Sequence, residues 1–109
     1  MEDLIDVQSV FKEFSNDAKA IILDVRTENE YNSGYIKGSV LLPLNKLDRE
    51  IENILPDKNT LIYTICRSGS RSSMAKNILK SHNYKNVKNI VGGILQWQEE
   101  KLPFDYKYE

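Results

Sequence analysis

The residues best suited to do chemistry lie between Ile65 and Ser73. A lone cysteine, Cys66, closes an apolar run and is followed by Arg67, Ser68, Gly69, Ser70, Arg71 and Ser72. Ser68, Gly69 and Ser70 are small enough for the backbone to curl until successive amide N–H groups converge on one centre. Such a nest, ahead of a helix expected to open near Ser72, carries positive partial charge and holds anions. The same field favours a thiolate, since helix N-termini and cationic neighbours bring a cysteine pKa from ~8.5 to about 3.5–7.5. Arg67 is expected to attract and orient an anion and to lower the thiol pKa; Arg71 is expected to brace the loop or add positive potential. The chemistry implied is a nucleophilic Cys66 thiolate facing an anion-binding cradle. A buried structural cysteine before an ordinary capped helix is the bland alternative, but it does not call for two arginines and a glycine in the next five residues.

The other candidates are weaker. His82, the single histidine, sits at the far end of the helix that follows Cys66. At 1.5 Å per residue that is about 16 Å or more away, which argues against a Cys-His dyad and for a helix C-terminal dipole partner. Asp24, Arg26 and Glu30 are read as a structural ion pair, with Arg26 reaching Glu30 across one turn and Asp24 lining the floor of the site. Lys76, Lys80, Lys85 and Lys88 read as a solvated face that could dock an acidic partner. Trp97 and Tyr35 are expected in the core, and Gly92-Gly93 has neither the lysine of a P-loop nor the spacing of a dinucleotide fingerprint.

The elements that must position these residues alternate. Residues 20–25, 39–42, 61–65 and 87–91 are short, β-branched-rich runs bounded by Gly, Pro, Asn or Asp, as expected of strands buried in a parallel sheet. Between them lie helical stripes. Val7, Val10, Phe11 and Phe14 share one face, with Asp6 as N-cap. Thr27 and Glu30 form a capping box whose short helix stops at Gly34. Leu47, Ile51, Ile54 and Leu55 make a stripe opened by Asn45 and closed before Pro56. Met74, Ala75, Ile78 and Leu79 make another that ends near Asn83. Ile94, Leu95 and Trp97 begin a last helix that Pro103 closes. Residues 104–109 carry no clear signal and are expected to be loosely held. This alternation is the α/β signature, with right-handed crossovers, and open α/β sheets bind ligands beyond the carboxyl ends of their strands, where Cys66 falls.

Composition narrows the class. The 109 residues suit a single domain, 1–109. Fifteen Lys+Arg against sixteen Asp+Glu leave a net charge of −1, which argues against nucleic-acid binding by phosphate neutralisation and against a polybasic membrane-surface protein. One cysteine excludes an intrachain disulfide, a multi-cysteine zinc site and an internal resolving thiol. Met1-Glu2-Asp3-Leu4 lacks the basic and apolar regions of a signal peptide. Apolar stretches of about five residues fall far short of the ~20 that span a bilayer. A soluble cytoplasmic protein is the expectation, with no metal and no cofactor.

Cys66-Arg67-Ser68-Gly69-Ser70-Arg71-Ser72 resembles the active-site loop of the rhodanese-like sulfurtransferases. The resemblance extends to Asp24-Val25-Arg26, Glu30-Tyr31 and Gly34-Tyr35-Ile36-Lys37-Gly38-Ser39, similar to the family's upstream D-V-R, E-[FY] and G-H-I-x-G-[AS] pattern. Downstream, Gly92-Gly93-Ile94 with Trp97 is similar to its G-G-[IVLMF]-x-x-W. Tyr35 stands where the family usually has a histidine that is not its nucleophile, which bears on local packing more than on chemistry. The resemblance implies a three-layer fold, a central mainly parallel sheet flanked by helices on both faces, and a persulfide formed on Cys66.

The function expected is sulfur transfer: Cys66 takes the outer sulfur of a small anionic donor such as thiosulfate and passes it to a thiophilic acceptor, cyanide or a thiol, or to an acceptor protein. Residues 67–72 would bind the donor, with Asp24, Arg26 and Glu30 in support. A cysteine phosphatase or arsenate reductase is the first alternative, since cell-cycle dual-specificity phosphatases are similar in fold. Their signature is C-x5-R, whereas Cys66 to Arg71 is C-x4-R, a smaller ring of amides cramped for a phosphoryl group, and no loop Asp offers itself as general acid. A non-catalytic binding domain is the second alternative, although such members typically lack the cysteine.

Overall fold

The computed structural model describes residues 3–106. A five-stranded, all-parallel sheet has the order β1-β5-β4-β2-β3, built from β1 (Leu4–Ile5), β2 (Ile21–Asp24), β3 (Val40–Leu41), β4 (Leu61–Ile65) and β5 (Asn86–Ile90). The connecting helices are α1 (Val7–Asn16), α2 (Glu28–Ser33), α3 (Leu44–Ile54), α4 (Ser70–Ser81) and α5 (Gly93–Glu99).

Alternation along each strand feeds two cores. Ile22, Tyr63, Ile65 and Ile90 pack with Val7 and Val10 of α1 and Ile94 and Trp97 of α5. Leu23, Ile62 and Val87 pack on the other face with Leu47 and Ile51 of α3 and Ala75 and Leu79 of α4. Helices therefore cover both faces, the three-layer arrangement expected of a parallel sheet. The central strands β4 and β2 have no solvated face, and for this reason their sequences read as continuous apolar runs.

Local signals explain most boundaries. Asp6 caps α1 by accepting from the Ser9 amide at 2.7 Å, and the Thr27–Glu30 capping box opens α2 with both reciprocal bonds present. One element is added and three expectations are corrected. β1 is too short to carry a period, yet the Asn89 amide donates to Asp3 O at 2.7 Å and the Val91 amide to Ile5 O at 2.8 Å, adding an edge strand. α3 opens at Leu44 behind Pro43, not at Asn45, because proline presets a compatible φ (−55°) and the Leu44 amide is tied to Val25 O. α4 opens at Ser70, two residues before Ser72, because Gly69 takes a φ of +126° that turns the chain straight into the helix. The segment 104–106 is held rather than loose: Tyr35 and Asp105 exchange backbone hydrogen bonds of 2.9 and 2.8 Å, and Phe104 meets Tyr106 edge to face. Residues 107–109 of that tail, and Met1 and Glu2, lie outside the described residues.

Trp97 is buried as expected, its indole N–H donating to Pro103 O at 2.8 Å and its ring meeting Phe11 edge to face. Tyr35 is half-buried and stacks on Tyr31, whose hydroxyl donates to Ser39 O at 2.9 Å. Tyr35 thus takes a packing role beside the strand ends. No helix among the described residues is long and apolar enough to cross a membrane.

Candidate active site

The loop 66–69 leaves the carboxyl end of β4, the middle strand of the sheet. Cys66 is 1% exposed and the Gly69 amide donates to its sulfur at 3.1 Å. Burial opposes ionisation of this thiol. Donors from the Ser72 side chain and from the Ser72, Gly69 and Ser68 amides outweigh burial and hold the pKa below its ordinary value. The Ser72 hydroxyl also has a second acceptor in reach, the Gly69 carbonyl at 3.1 Å, so it can turn between that oxygen and the sulfur. Neither arginine donates to the sulfur among the described hydrogen bonds, so any effect of Arg67 on the thiol acts through its charge and not through a direct contact. The cradle of amides at the start of α4, with Ser72, supplies the direct donors.

The loop is fixed from three sides. From below, Asn89 Nδ2 donates to Gly69 O at 3.3 Å, and Thr64 Oγ1 donates to Ser72 O at 3.0 Å and lies 3.4 Å from Asn89 Oδ1. From α5, the Ile94 and Leu95 amides donate to the Cys66 and Arg67 carbonyls at 2.9 and 3.0 Å. That approach explains Gly93: a Cβ there would lie 2.5 Å from Cys66 O and 2.6 Å from Arg67 O, and its φ is +59°. From α2, Glu30 accepts two hydrogen bonds from Arg71, Nη1 to Oε1 at 2.7 Å and Nη2 to Oε2 at 2.9 Å. The Arg71 guanidinium holds the Glu30 carboxyl down at about 2.

Asp24 and Arg26 form their own buried unit. Arg26 Nε and Nη2 straddle the Asp24 carboxylate at 2.8–3.0 Å, and Nη2 also donates to Gly34 O at 2.7 Å. The expected side-chain link from Arg26 to Glu30 is not made; Arg26 reaches only the Glu30 carbonyl, at 3.4 Å, because Arg71 has claimed the carboxylate. Asp24 registers with Ile65 across the β2–β4 ladder, which puts this ion pair beside the loop's first residue. Arg67 and Ser70 are exposed, Gly69 and Arg71 intermediate, and Ser72 fully buried under the loop. Among the described residues Arg67 has no carboxylate partner, and it lines a cavity of about 260 Å³ with Glu30, Ser33, Ile94, Leu95 and Phe104.

Thr64 and Asn89 belong to no motif in the sequence. Their signal was present: each is a polar residue in a strand otherwise apolar on that side, and a buried polar group must find a partner. His82 lies at the other end of α4, where its ring nitrogens face Glu52 and Asp48 of α3 at 2.5 and 2.7 Å. Lys80 pairs with Asp3 at 2.7 Å.

Comparison with known proteins agrees with this geometry. A sulfurtransferase of Allochromatium vinosum is 32% identical over 103 residues, covering 94% of both chains. The adenylyltransferase and sulfurtransferase uba4 of Ogataea parapolymorpha is 35% identical over 82 residues, 75% of this chain; the match spans only 21% of that longer protein. The crystal structure of a rhodanese-related protein from Thermoplasma volcanium superposes with a TM-score of 0.83 at 27% identity, covering 94% of this chain and 96% of the other. The model of the rhodanese-like domain matches residues 7–100, and with strand order, loop and upstream ion pairs already in place, the chain belongs to the rhodanese-like domain family.

Proposed function

We propose that the protein is a sulfurtransferase that carries a sulfane sulfur on Cys66. The observation that supports this reading most directly is the 3.1 Å hydrogen bond from the Gly69 amide to the Cys66 sulfur inside a C-x4-R loop at a helix N-terminus. In the forward step the Cys66 thiolate attacks the outer sulfur of thiosulfate. A new S–S bond forms on Cys66, the donor's S–S bond breaks, and sulfite leaves with the electron pair. The amides of residues 68, 69 and 72, which face the thiolate beforehand, then face the terminal, anionic sulfur of the persulfide. Cyanide or a thiol, free or on an acceptor protein, attacks that terminal sulfur and returns Cys66 to the thiolate. Arg67 is the donor-capturing charge; Arg71 and Ser72 act on the loop and the sulfur, and Asp24, Arg26 and Glu30 hold the surroundings. We assign the reaction to the cytoplasm, with no nucleic acid, membrane, cofactor or metal taking part.

Mass spectrometry of the intact protein after thiosulfate treatment and desalting tests the assignment. The wild type gains the mass of one sulfur and loses it on adding cyanide, while Cys66→Ser gains none and has no thiosulfate:cyanide turnover with an unchanged circular dichroism spectrum. Substantial turnover by a folded Cys66→Ser variant would remove Cys66 as carrier. Absence of an adduct together with hydrolysis of p-nitrophenyl phosphate would replace sulfur transfer by phosphatase chemistry.

A further inference from the structure

The Gly69 carbonyl oxygen carries more donors than it has lone pairs. It accepts from the Ser73 amide at 3.0 Å, the Ser72 hydroxyl at 3.1 Å and Asn89 Nδ2 at 3.3 Å, whereas a carbonyl oxygen offers two lone pairs. The three donors are not equally fixed. The Ser73 amide belongs to the first turns of α4. Asn89 stands opposite Thr64 in the β4–β5 ladder and is 5% exposed. Its Nδ2 faces a carbonyl that can only accept, and its Oδ1 lies 3.4 Å from the Thr64 hydroxyl, so the side-chain amide has one orientation. Only the Ser72 hydroxyl can turn, and its single proton has a second taker in the Cys66 sulfur. Asparagine is also a costly residue to bury inside a strand. Satisfying Gly69 does not require it, because the Ser73 and Ser72 donors already fill that oxygen.

We propose that Asn89 is a positioning residue for the chemistry of Cys66: by holding the Gly69 carbonyl, it releases the Ser72 hydroxyl to donate to the sulfur. While the sulfur is neutral, the hydroxyl rests on the carbonyl. When the sulfur becomes negative, the hydroxyl turns to it, and the carbonyl keeps two donors, Ser73 N–H and Asn89 Nδ2. Without Asn89 the carbonyl would keep one, and it would compete with the sulfur for the Ser72 proton. Asn89 therefore acts through Ser72 and never touches the sulfur. This role rests on the reading of Cys66 as the sulfur-carrying nucleophile. The charged groups around the loop are Arg67, Arg71 with Glu30 of α2 behind it, and the Asp24–Arg26 pair at the end of β2. None of them pairs with Asn89, and α5 presents the uncharged Ile94 and Leu95 to the loop, so replacing Asn89 leaves these charges in place.

The test is the pH midpoint of iodoacetamide alkylation, which reads one sulfur because the chain has one cysteine. Asn89→Leu keeps the volume and removes the donor. Competition from one neutral hydrogen bond moves the midpoint up by about 0.5–1 pH unit. The same substitution made in Ser72→Ala leaves the midpoint where Ser72→Ala alone puts it, since no hydroxyl remains to be released. A residue that only braces the loop would give the same shift in both backgrounds. Asn89→Ala, which adds no bulk, carries the comparison if Asn89→Leu does not fold. An unchanged midpoint in a folded Asn89 variant, or equal shifts with and without the Ser72 hydroxyl, overturns the proposal. Alkylation does not depend on sulfur transfer, so the expected pattern in a protein that gains no sulfur from thiosulfate would uphold the role of Asn89 and overturn the sulfurtransferase reading alone.

Discussion

Arg71 reaches across from the first turn of α4 to clasp both carboxylate oxygens of Glu30, at 2.7 and 2.9 Å. Glu30 also accepts from the Thr27 amide at 3.0 Å, so one carboxylate caps α2 and anchors the active-site loop. This arrangement separates the loop's two arginines by role. Arg71 is spent on architecture, and Arg67 has no carboxylate partner among the described residues. Because the pair spans sequence positions 30 and 71, the capping box of a short surface helix becomes a support for the cysteine.

Replacing Glu30 tests that coupling through pH. Its carboxyl falls from 4.5 to about 2, chiefly through the Arg71 hydrogen bonds working against partial burial. A depressed carboxylate contributes stability that is present above the unfolded value and lost as pH falls through the folded one. Both side chains are about a third exposed, so screening reduces the contribution to ~1 kcal/mol. Glu30→Gln is therefore expected to lower the urea midpoint at pH 7 and to converge on the wild type between about pH 4.5 and 2. Equal gaps at pH 7 and pH 2.5 would show that Glu30 acts by packing and not by charge.

Ser72 and Arg67 are predicted to fail in different ways. Ser72 is fully buried and donates toward the sulfur, whereas Arg67 is exposed and lines the cavity. Ser72→Ala should raise the midpoint of iodoacetamide alkylation against pH, since a donor to the charged sulfur is lost. A lost hydrogen bond to a charged group is worth ~1.5–3 kcal/mol, or roughly a 10- to 100-fold drop in kcat/KM with thiosulfate. Arg67→Ala should give a similar drop in efficiency while moving the alkylation midpoint less than Ser72→Ala does. If Arg67→Ala moves the midpoint more, the thiolate is governed by the arginine after all.

The contrast between those residues shows what a sequence reveals about such a site. Cys66, Gly69 and the helix after them were legible because small residues, a strand end and a helix start lie in one unbroken stretch. The sheet was legible because β2 and β4 are buried on both faces and β-branched. What a local pattern cannot encode is choice of partner. Arg26 is four residues from Glu30, the ordinary helical spacing for a pair, yet it turns back to Asp24 at the strand end while Glu30 waits for Arg71, 41 positions away. β1 escaped notice for a similar reason: two residues on a sheet edge have no period, and only β5 gives them a place. Phe104 likewise reads as featureless tail until Gly34 is set beneath it.

The last prediction concerns the end of the molecule away from the cysteine. The two ring nitrogens of His82 face Glu52 Oε2 at 2.5 Å and Asp48 Oδ1 at 2.7 Å, pinning the C-terminus of α4 to α3. Lys58 closes the cluster, donating to His82 O at 2.5 Å and pairing with Glu52 at 3.3 Å. Both ring nitrogens can donate only in the imidazolium form, and the hydrogen bond to Glu52, then that to Asp48, raise the His82 pKa above 6.5. A raised histidine stabilises the fold fully below its unfolded pKa and loses that contribution as pH rises through the folded value. Glu52, held below its ordinary value mainly by His82, extends the window on the acid side. His82→Ala should therefore destabilise the fold at pH 6 and much less at pH 9. Thermal unfolding of both proteins at the two pH values measures the difference. A wild-type advantage that stays constant, or grows, from pH 6 to pH 9 would mean that the ring is held neutral and that the two carboxylates do not share its charge.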